Sequence, residues 1–407
     1  MILRGDGKSG IIRADCFKRK NYPNKEVDLA LLNPPFPHHK TDPPPTRFID
    51  RALLSVRNKG MVASIVPYSL LVKMSDWHHN LLKCNRLLFV GTMPPDAFQP
   101  YASFNTAVVV VQKGVPHANS RVLFARLWND GYKLKKNVRI PRQGSQVPAI
   151  LEAFERKEAI PELTAYEKVD LDSKEWSPEA YIVSLVHSDD EFIAGFEQSI
   201  RKHAAFYIGE GHNIVGTMQS KMVALAHGFE GRSTVSFANV SFGTFRVDDY
   251  FTVQLGGKDE IEDLDDDGNI PIVSTSEFNN GVTAWKKPAI IYSPLAITVA
   301  TDGSTGSSFV QEFPFYAFYK VALLRPKLSV QVPVDALYFV AYLIYRERWR
   351  YVYARKLGKT RLSATILHAP IRDGKPDFVK MAELTRQCVS YPIIAAFRDT
   401  YNGSVAE

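Results

Sequence analysis

The sequence predicts an α/β domain with a mostly parallel sheet at its N-terminal end, followed by a mixed α+β domain. Three observations lead there. Residues 1–117 alternate strand-like and helix-like segments. The run Thr106–Val111, TAVVVV, is short, continuous and β-branched, which suits a buried strand. From about residue 236, aromatic and β-branched residues alternate between Gly and Asn turns.

Taken in order, Gly10–Ala14 reads as a short strand and Val27–Leu32 (VDLALL) as a second. Thr46–Lys59 has helical spacing, with Phe48, Ile49, Ala52, Leu53 and Val56 on one face, and Gly60 reads as its stop. Met61–Val66 is a third strand, Ser75–Cys84 a helix, Arg86–Thr92 a strand, and Thr106–Gln112 closes the unit. Between about residues 145 and 230 the pattern is more helical and more charged, with helices over Ala149–Lys157 and Asp189–His203. Beyond it, Thr244–Leu255, Pro271–Thr275, Ala289–Tyr292 and Ala296–Ala300 read as strands. Val334–Lys356 reads as one long aromatic-rich helix, and the acidic run Asp259–Asp267 as a solvated loop. The domain expectation is therefore 1–120, a mostly helical connector over 121–235, and 236–407.

Composition narrows the function classes. A chain of 407 residues with 45% hydrophobic residues can bury real cores, which excludes wholesale disorder. The formal charge of +7 is compatible with a nucleic-acid partner. Its cations crowd into the first 60 residues and into the stretch from Arg346 to Arg361. Cys16, Cys84 and Cys388 stand far apart, so neither a disulfide framework nor a zinc site is expected, and the compartment reads as reducing and cytosolic. The pairs His38–His39 and His78–His79 read as loop histidines rather than metal ligands. No apolar run approaches the ~20 residues a membrane span needs, so no membrane partner is expected.

The informative segment is Asn33-Pro34-Pro35-Phe36, directly after the strand VDLALL. Open α/β sheets carry their sites at the carboxyl ends of strands. The prolines restrict φ, so a side-chain amide and a backbone carbonyl can point into one small space. The competing reading is a proline-stiffened turn after a core strand. NPPF resembles motif IV of the amino-methyltransferases, whose adenine-N6 members carry NPP followed by an aromatic residue. An exocyclic purine amine is a poor nucleophile. The Asn33 side-chain oxygen and the Pro34 carbonyl can each accept one of its N–H bonds, which favours a tetrahedral nitrogen with its lone pair free. The chemistry is then orientation and electrostatics. Phe36 would stack on the base after it leaves the duplex, and Pro35 completes the turn.

The surroundings extend the resemblance. Asp15, Cys16 and Phe17 resemble motif III, in which an acid faces the adenine part of S-adenosylmethionine; the plainer reading of Asp15 is a strand-end acid. Thr46–Leu70 resembles the helix, strand and loop that follow motif IV. Asp96–Gly114 resembles the late motif whose aromatics line the flipped-base pocket, with Phe98 and Tyr101 as candidates and loop packing as their alternative. The opening MILRGDGKSGII also resembles text that precedes motif III in modification subunits. The resemblance implies a partial Rossmann-like methyltransferase sheet and S-adenosylmethionine as cofactor. It also implies a Gly-rich donor-binding motif, which does not precede Asp15. Gly5–Gly10 comes before a strand and reads as a loop. A second subunit is expected to supply that motif.

Residues from about 236 to 390 resemble the target-recognition domains of type I specificity subunits and fused restriction–modification enzymes. The segments that carry this are Phe242–Gly257, Gly268–Val282, Ile297–Phe309 and Arg355–Pro370, in the family's order. The partner this implies is double-stranded DNA. Ser274, Thr275, Ser276, Asn279 and Asn280 are small donors and acceptors on a turn, suited to base edges or phosphates. Asp302–Ser307 is a compact turn between strands. Arg355, Lys356, Lys359 and Arg361 are the candidate phosphate contacts, with a solvated basic face as their alternative. The leading expectation is a site-specific adenine-N6 DNA methyltransferase subunit. The alternatives are a methyltransferase for RNA or protein amides, and a non-catalytic DNA-binding module. No nuclease pattern is present in convincing context.

Overall fold

Val27–Leu32 (β1) and the β-branched runs after it meet in one six-stranded sheet, ordered β1-β2-β4-β3-β5-β8. The computed structural model describes residues 13–18, 25, 27–37, 39, 41–99, 105–173, 175–187, 190–215, 233–259, 261–352 and 354–406. They divide into two units, Met1–Ile182 and Val183–Glu407. Among the described residues no helix is long and apolar enough to cross a membrane.

In the first unit β1 leads to α1 (Pro45–Ser55), β2 (Val56–Pro67), a short α2 (Ser69–Val72) and α3 (Asp76–Cys84). There follow β3 (Arg86–Thr92), β4 (Thr106–Gln112), β5 (Arg121–Arg126), β6 (Tyr132–Lys135), β7 (Val138–Pro141), α4 (Val147–Arg156) and β8 (Thr164–Lys168). α1 buries Ile49, Ala52 and Leu53, as its spacing predicts. It stops at Ser55, and Val56 opens β2. Gly60 is therefore not a helix stop. The β1–β2 register jumps from Val27↔Val56 to Leu29↔Met61, and a Cβ on Gly60 would lie 2.9 Å from the Asp28 carbonyl oxygen. It is the glycine of a bulge where two backbones close in.

The sheet is mixed rather than mostly parallel. β1–β2 and β3–β5 are parallel, while β2–β4, β4–β3 and β5–β8 are antiparallel. β4 runs antiparallel to both of its neighbours and lies between β2 and β3. Of the expected strand Gly10–Ala14, Arg13 and Ala14 are not strand, and Gly10, Ile11 and Ile12 lie outside the described residues.

The second unit opens with α5 (Asp190–Ile214) and continues through β9 (Phe242–Arg246), α6 (Val247–Tyr250), β10 (Phe251–Leu255), β11 (Asp265–Val273) and β12 (Val282–Lys287). Next come β13 (Ala296–Ala300), β14 (Ser308–Gln311), β15 (Tyr316–Ala317), β16 (Val321–Pro326), α7 (Val334–Arg346), α8 (Lys359–Ser363), β17 (Ile366–Arg372), β18 (Lys375–Pro376), α9 (Phe378–Arg386) and α10 (Tyr391–Ala406). Three small sheets, β10-β16-β13-β14, β12-β11-β15 and β18-β17-β9, surround α5 and α7. α7 is apolar almost all round, and its residues from Asp335 to Ile344 are buried, as a central helix requires. It ends at Arg346 rather than running to Lys356. The chain continues as a 3-10 turn over Glu347–Arg350, where Trp349 Nε1 donates to Ser184 Oγ at 2.7 Å.

The described residues of the 121–235 stretch divide between the two units. β5 and β8 extend the first sheet, and α5 buries Phe192, Phe196, Ile200 and Phe206 in the second core. The Thr244–Leu255 stretch is broken by α6 instead of forming one strand, and Ala289–Tyr292 contributes only a bridge from Tyr292 to Phe315.

Candidate functional site

The sheet register fixes which segments share an end. β1, β2, β3 and β5 all finish at the end where β4 begins, with Pro67↔Thr106, Thr92↔Ala107 and Thr92↔Arg126 as neighbours. Asn33–Phe36, Tyr68, Met93–Gln99 and Leu127–Trp128 therefore leave the sheet at one end. Pro34 is buried, Phe36 half-buried, and Asn33 and Pro35 exposed. Among the described residues nothing hydrogen-bonds the Asn33 amide, so its oxygen and both N–H groups remain available to a ligand. Tyr68 is buried and donates to Glu179 Oε2 at 2.9 Å, which closes the back of this end. Phe98 is half-buried in a turn that begins with Ala97 N donating to the Pro94 carbonyl. Tyr101 lies outside the described residues.

Asp15 is exposed and its Oδ1 accepts from Phe17 N at 2.9 Å. The turn docks on α1: the Cys16 carbonyl accepts from Arg51 Nε at 2.9 Å, and the Phe17 ring lies 4.9 Å from Phe48 with the Arg47 guanidinium 4.3 Å above it. The helix after the NPPF turn thus holds the segment before it. Of the paired histidines, His38 lies outside the described residues, and His78 is no loop residue. His78 caps α3, its Nδ1 accepting from Ser75 N and its Nε2 donating to the Leu70 carbonyl, and burial lowers its pKa. Among the described residues no cluster of His, Cys, Asp and Glu could hold a metal ion.

In the second unit two hairpin tips meet. The β11–β12 tip passes through Asn279, Asn280 and Gly281, all with positive φ (53°, 56° and 79°), a conformation that Asn and Gly tolerate best. The β13–β14 tip is Thr301–Ser307. Ser304 N donates to the Thr275 carbonyl at 3.3 Å, and Gly303 packs on Thr275 Oγ1. A Cβ on Gly306 would lie 2.7 Å from Arg348 Cβ, so the turn Glu347–Arg350 just after α7 supports the same tips. The Gly303 N–H first, then the charges of Lys356 and Lys320, hold the exposed Asp302 carboxyl below the usual carboxylate range. Exposed Lys356 thus stands beside the tips, and Arg361 Nη1 donates to its carbonyl at 2.9 Å. Lys359 is exposed at the start of α8. Beneath the tips lies a cavity of about 220 Å³ reached by Glu277, Ser307, Lys202, Tyr345 and Arg346.

Two predicted contacts need correction. Asn280 is 1% exposed, its Nδ2 donating to Gln311 Oε1 at 3.0 Å and to the Val310 carbonyl at 3.2 Å. Arg355 is buried, donating to the Arg350 carbonyl at 2.9 Å with its guanidinium over Tyr351. Both are spent on the fold, so neither faces outward. Ser274, Thr275 and Ser276 are half-buried and Asn279 exposed. Sequence reasoning missed Phe278, which is 69% exposed at the tip, braced by its N–H donating to Ser276 Oγ at 3.1 Å. An aromatic inside a run of small polar turn residues was the available signal.

Residues 239–373 match the family model of the type I restriction modification DNA specificity domain. The curated Type II restriction enzyme and methyltransferase RM.BcgI of Heyndrickxia coagulans is 31% identical over 157 residues, covering 36% of this chain and 24% of that protein. The specificity subunit S.BcgI of the same organism is 26% identical over 152 residues, 36% of this chain and 43% of that one. A solved methyltransferase subunit of a type I restriction–modification system from Streptococcus thermophilus is 18% identical with a TM-score of 0.33, over 40% of each chain. The chain spans about a quarter of the first curated relative and under half of the second. Within its C-terminal unit, residues 239–373 are thus similar to type I restriction–modification DNA specificity domains.

Proposed function

We propose that this chain is part of a site-specific DNA adenine-N6 methyltransferase. One observation carries the reading: an uncommitted Asn33 amide stands in an NPPF turn at the carboxyl end of a sheet strand, in a chain that also bears a DNA specificity domain. The Asn33 oxygen and the Pro34 carbonyl accept the two N–H bonds of the adenine amine and turn its lone pair outward. Pro34 and Pro35 hold those acceptors still, so little reorganisation accompanies the reaction. Phe36 stacks on the flipped base, and Phe98 stands on another turn at the same end of the sheet. The exposed tips around Thr275, Phe278 and Asn279 read the duplex, while Lys356, Lys359 and Arg361 meet phosphate.

The residues present fit one part of S-adenosylmethionine. Asp15 is exposed, and its Oδ2 is free to accept from the adenine amine of the donor. When bound, the donor supplies an electrophilic methyl group. No Gly-rich cradle for its methionine end occurs among the described residues. Among the described residues β1 is the outer strand of the sheet, and Leu29 and Leu31 on it are 47% and 74% exposed. An edge with exposed leucines supports completion of the sheet by further strands that carry the cradle, in a partner subunit.

Asn33→Ala is the test, by transfer of labelled methyl into duplex and by duplex binding. Methylation should be abolished with binding largely spared; equal loss of both would assign the turn a structural role. The second reading, a non-catalytic specificity module, is favoured by the family match falling wholly in the C-terminal unit. It predicts no methyl transfer by the wild-type chain even beside the proteins that co-purify with it.

A further inference from the structure

Between β5 and α4 the chain leaves the sheet and forms the two-stranded β6–β7 hairpin, which the methyl-transfer reading does not use. Lys136 and Asn137 at its tip have φ of 47° and 66°, as a two-residue hairpin turn requires. Residues 133–142 contain five cations (Lys133, Lys135, Lys136, Arg139 and Arg142) and no acid. Arg139 is committed to the fold: its guanidinium grips Asp130 at 2.8 and 2.9 Å and lies 3.6 Å from Asp96. The other four are exposed, and no ion pair engages them among the described residues.

The hairpin does little for the core, since none of the residues of β6 or β7 is fully buried. A lone two-stranded ribbon is marginal in water. This one is nonetheless pinned. Leu134 N donates to Asp96 Oδ2 at 2.9 Å, Arg142 N to the Gly131 carbonyl at 2.7 Å, and Asn129 Nδ2 to the Gln143 and Gly144 carbonyls at 2.9 and 2.8 Å. At its base Trp128 and Tyr132 are 44% and 49% exposed, with the Arg126 guanidinium 5.1 Å from the Trp128 ring centre. Bonds are spent on presenting cations and aromatics outward.

Its position gives those cations a partner. The hairpin follows β5, which finishes at the same end of the sheet as the NPPF turn, and Asp96, which anchors it, is two residues from Phe98. β1 and β5 are four strand spacings apart, about 19 Å at ~4.8 Å each. That span corresponds to roughly six nucleotides of one strand at ~3.4 Å apiece. We propose that the β6–β7 hairpin is a duplex-DNA phosphate clamp, seated on the backbone a few nucleotides from the base that the NPPF turn receives. The inference rests on the methyltransferase reading. Lysine ammonium groups act as point charges on phosphate, so the clamp adds affinity without reading sequence.

The test uses the full chain and a labelled duplex, with fluorescence anisotropy across a potassium chloride series. The triple variant Lys133→Gln, Lys135→Gln, Lys136→Gln should make the slope of log affinity against log salt shallower by about 2.7, at ~0.9 per lost phosphate contact. Its preference among duplex sequences should be unchanged. The matching Lys→Arg triple should keep the wild-type slope, which separates charge from any effect on hairpin folding. An unaltered slope in the Gln variant, with wild type still binding duplex, overturns the clamp and leaves the methyltransferase reading standing. A wild-type chain that ignores duplex, or prefers single-stranded RNA of equal length, overturns both.

Discussion

Acidification should loosen the C-terminal unit through one histidine. His203 on α5 is fully buried, its Nδ1–H donating to the Ser199 carbonyl at 2.9 Å and its Nε2 accepting from Val310 N at 3.1 Å. Burial foremost, with the charge of Lys202 adding to it, pushes its pKa down to about 4 from 6.5. The folded value is the lower one, so the stabilising contribution is whole above pH 6.5, where both states are neutral. Between those two values the unfolded chain binds a proton that the folded one refuses, and stability falls by about 1.4 kcal/mol per pH unit. The loss reaches about 3 kcal/mol, large against a typical stability of ~5–15 kcal/mol. Other groups titrate in the same range, so the comparison is with His203→Gln, whose amide oxygen can still accept from Val310 N. Urea unfolding, read by hydrogen exchange of peptides covering β14, isolates this unit. The wild type should exceed the variant at about pH 7 by a lost hydrogen bond's worth, about 1 kcal/mol, and that difference should reverse by about pH 4. A difference constant across the range would refute a buried neutral imidazole.

Two further outcomes follow from the same unit. Gly306→Ala places a Cβ 2.7 Å from Arg348 Cβ at a φ of +85°, so it should cost about 1–3 kcal/mol in thermal unfolding and weaken duplex binding; a silent substitution would show the tips to be pliable. Arg398 joins Glu312 at 2.6 Å and Asp335 at 2.7 Å, both buried carboxylates, so Arg398→Ala should cost about 3–5 kcal/mol in denaturant unfolding, and a loss below ~1 kcal/mol would mean water reaches the pair.

What the sequence revealed follows from what local chemistry decides. TAVVVV and VDLALL form strands within a residue or so of their expected bounds, because continuous β-branched or apolar runs have no other use in a short segment. The NPPF turn sits at a strand end for the same reason. Val56 was misread because it continues the helical spacing of α1, while its strand partner Val27 lies across the sheet. Asn280 and Arg355 look like any surface polar residues in one dimension. Their burial depends on Gln311 and Tyr351, and only the fold brings the first of these close. The β6–β7 hairpin escaped because four-residue strands in a charged stretch leave no periodicity to count. The specificity domain was legible through the order of several weak segments, which together exceed any one of them.

The amide lock beneath the tips has an evolutionary consequence. Asn280, Gln311 and Thr298 hold one another by hydrogen bonds, and none depends on what stands at Ser276, Phe278 or Asn279. The frame and the exposed tip surface are thus separable in inheritance. On the proposed reading, tip side chains can drift and explore new duplex sequences while the loop keeps its shape, whereas a change in the locked trio costs stability first. If the tips meet base edges as proposed, hydrogen bonds that fix the loop's path let a single tip substitution alter which edge is met without a compensating change elsewhere.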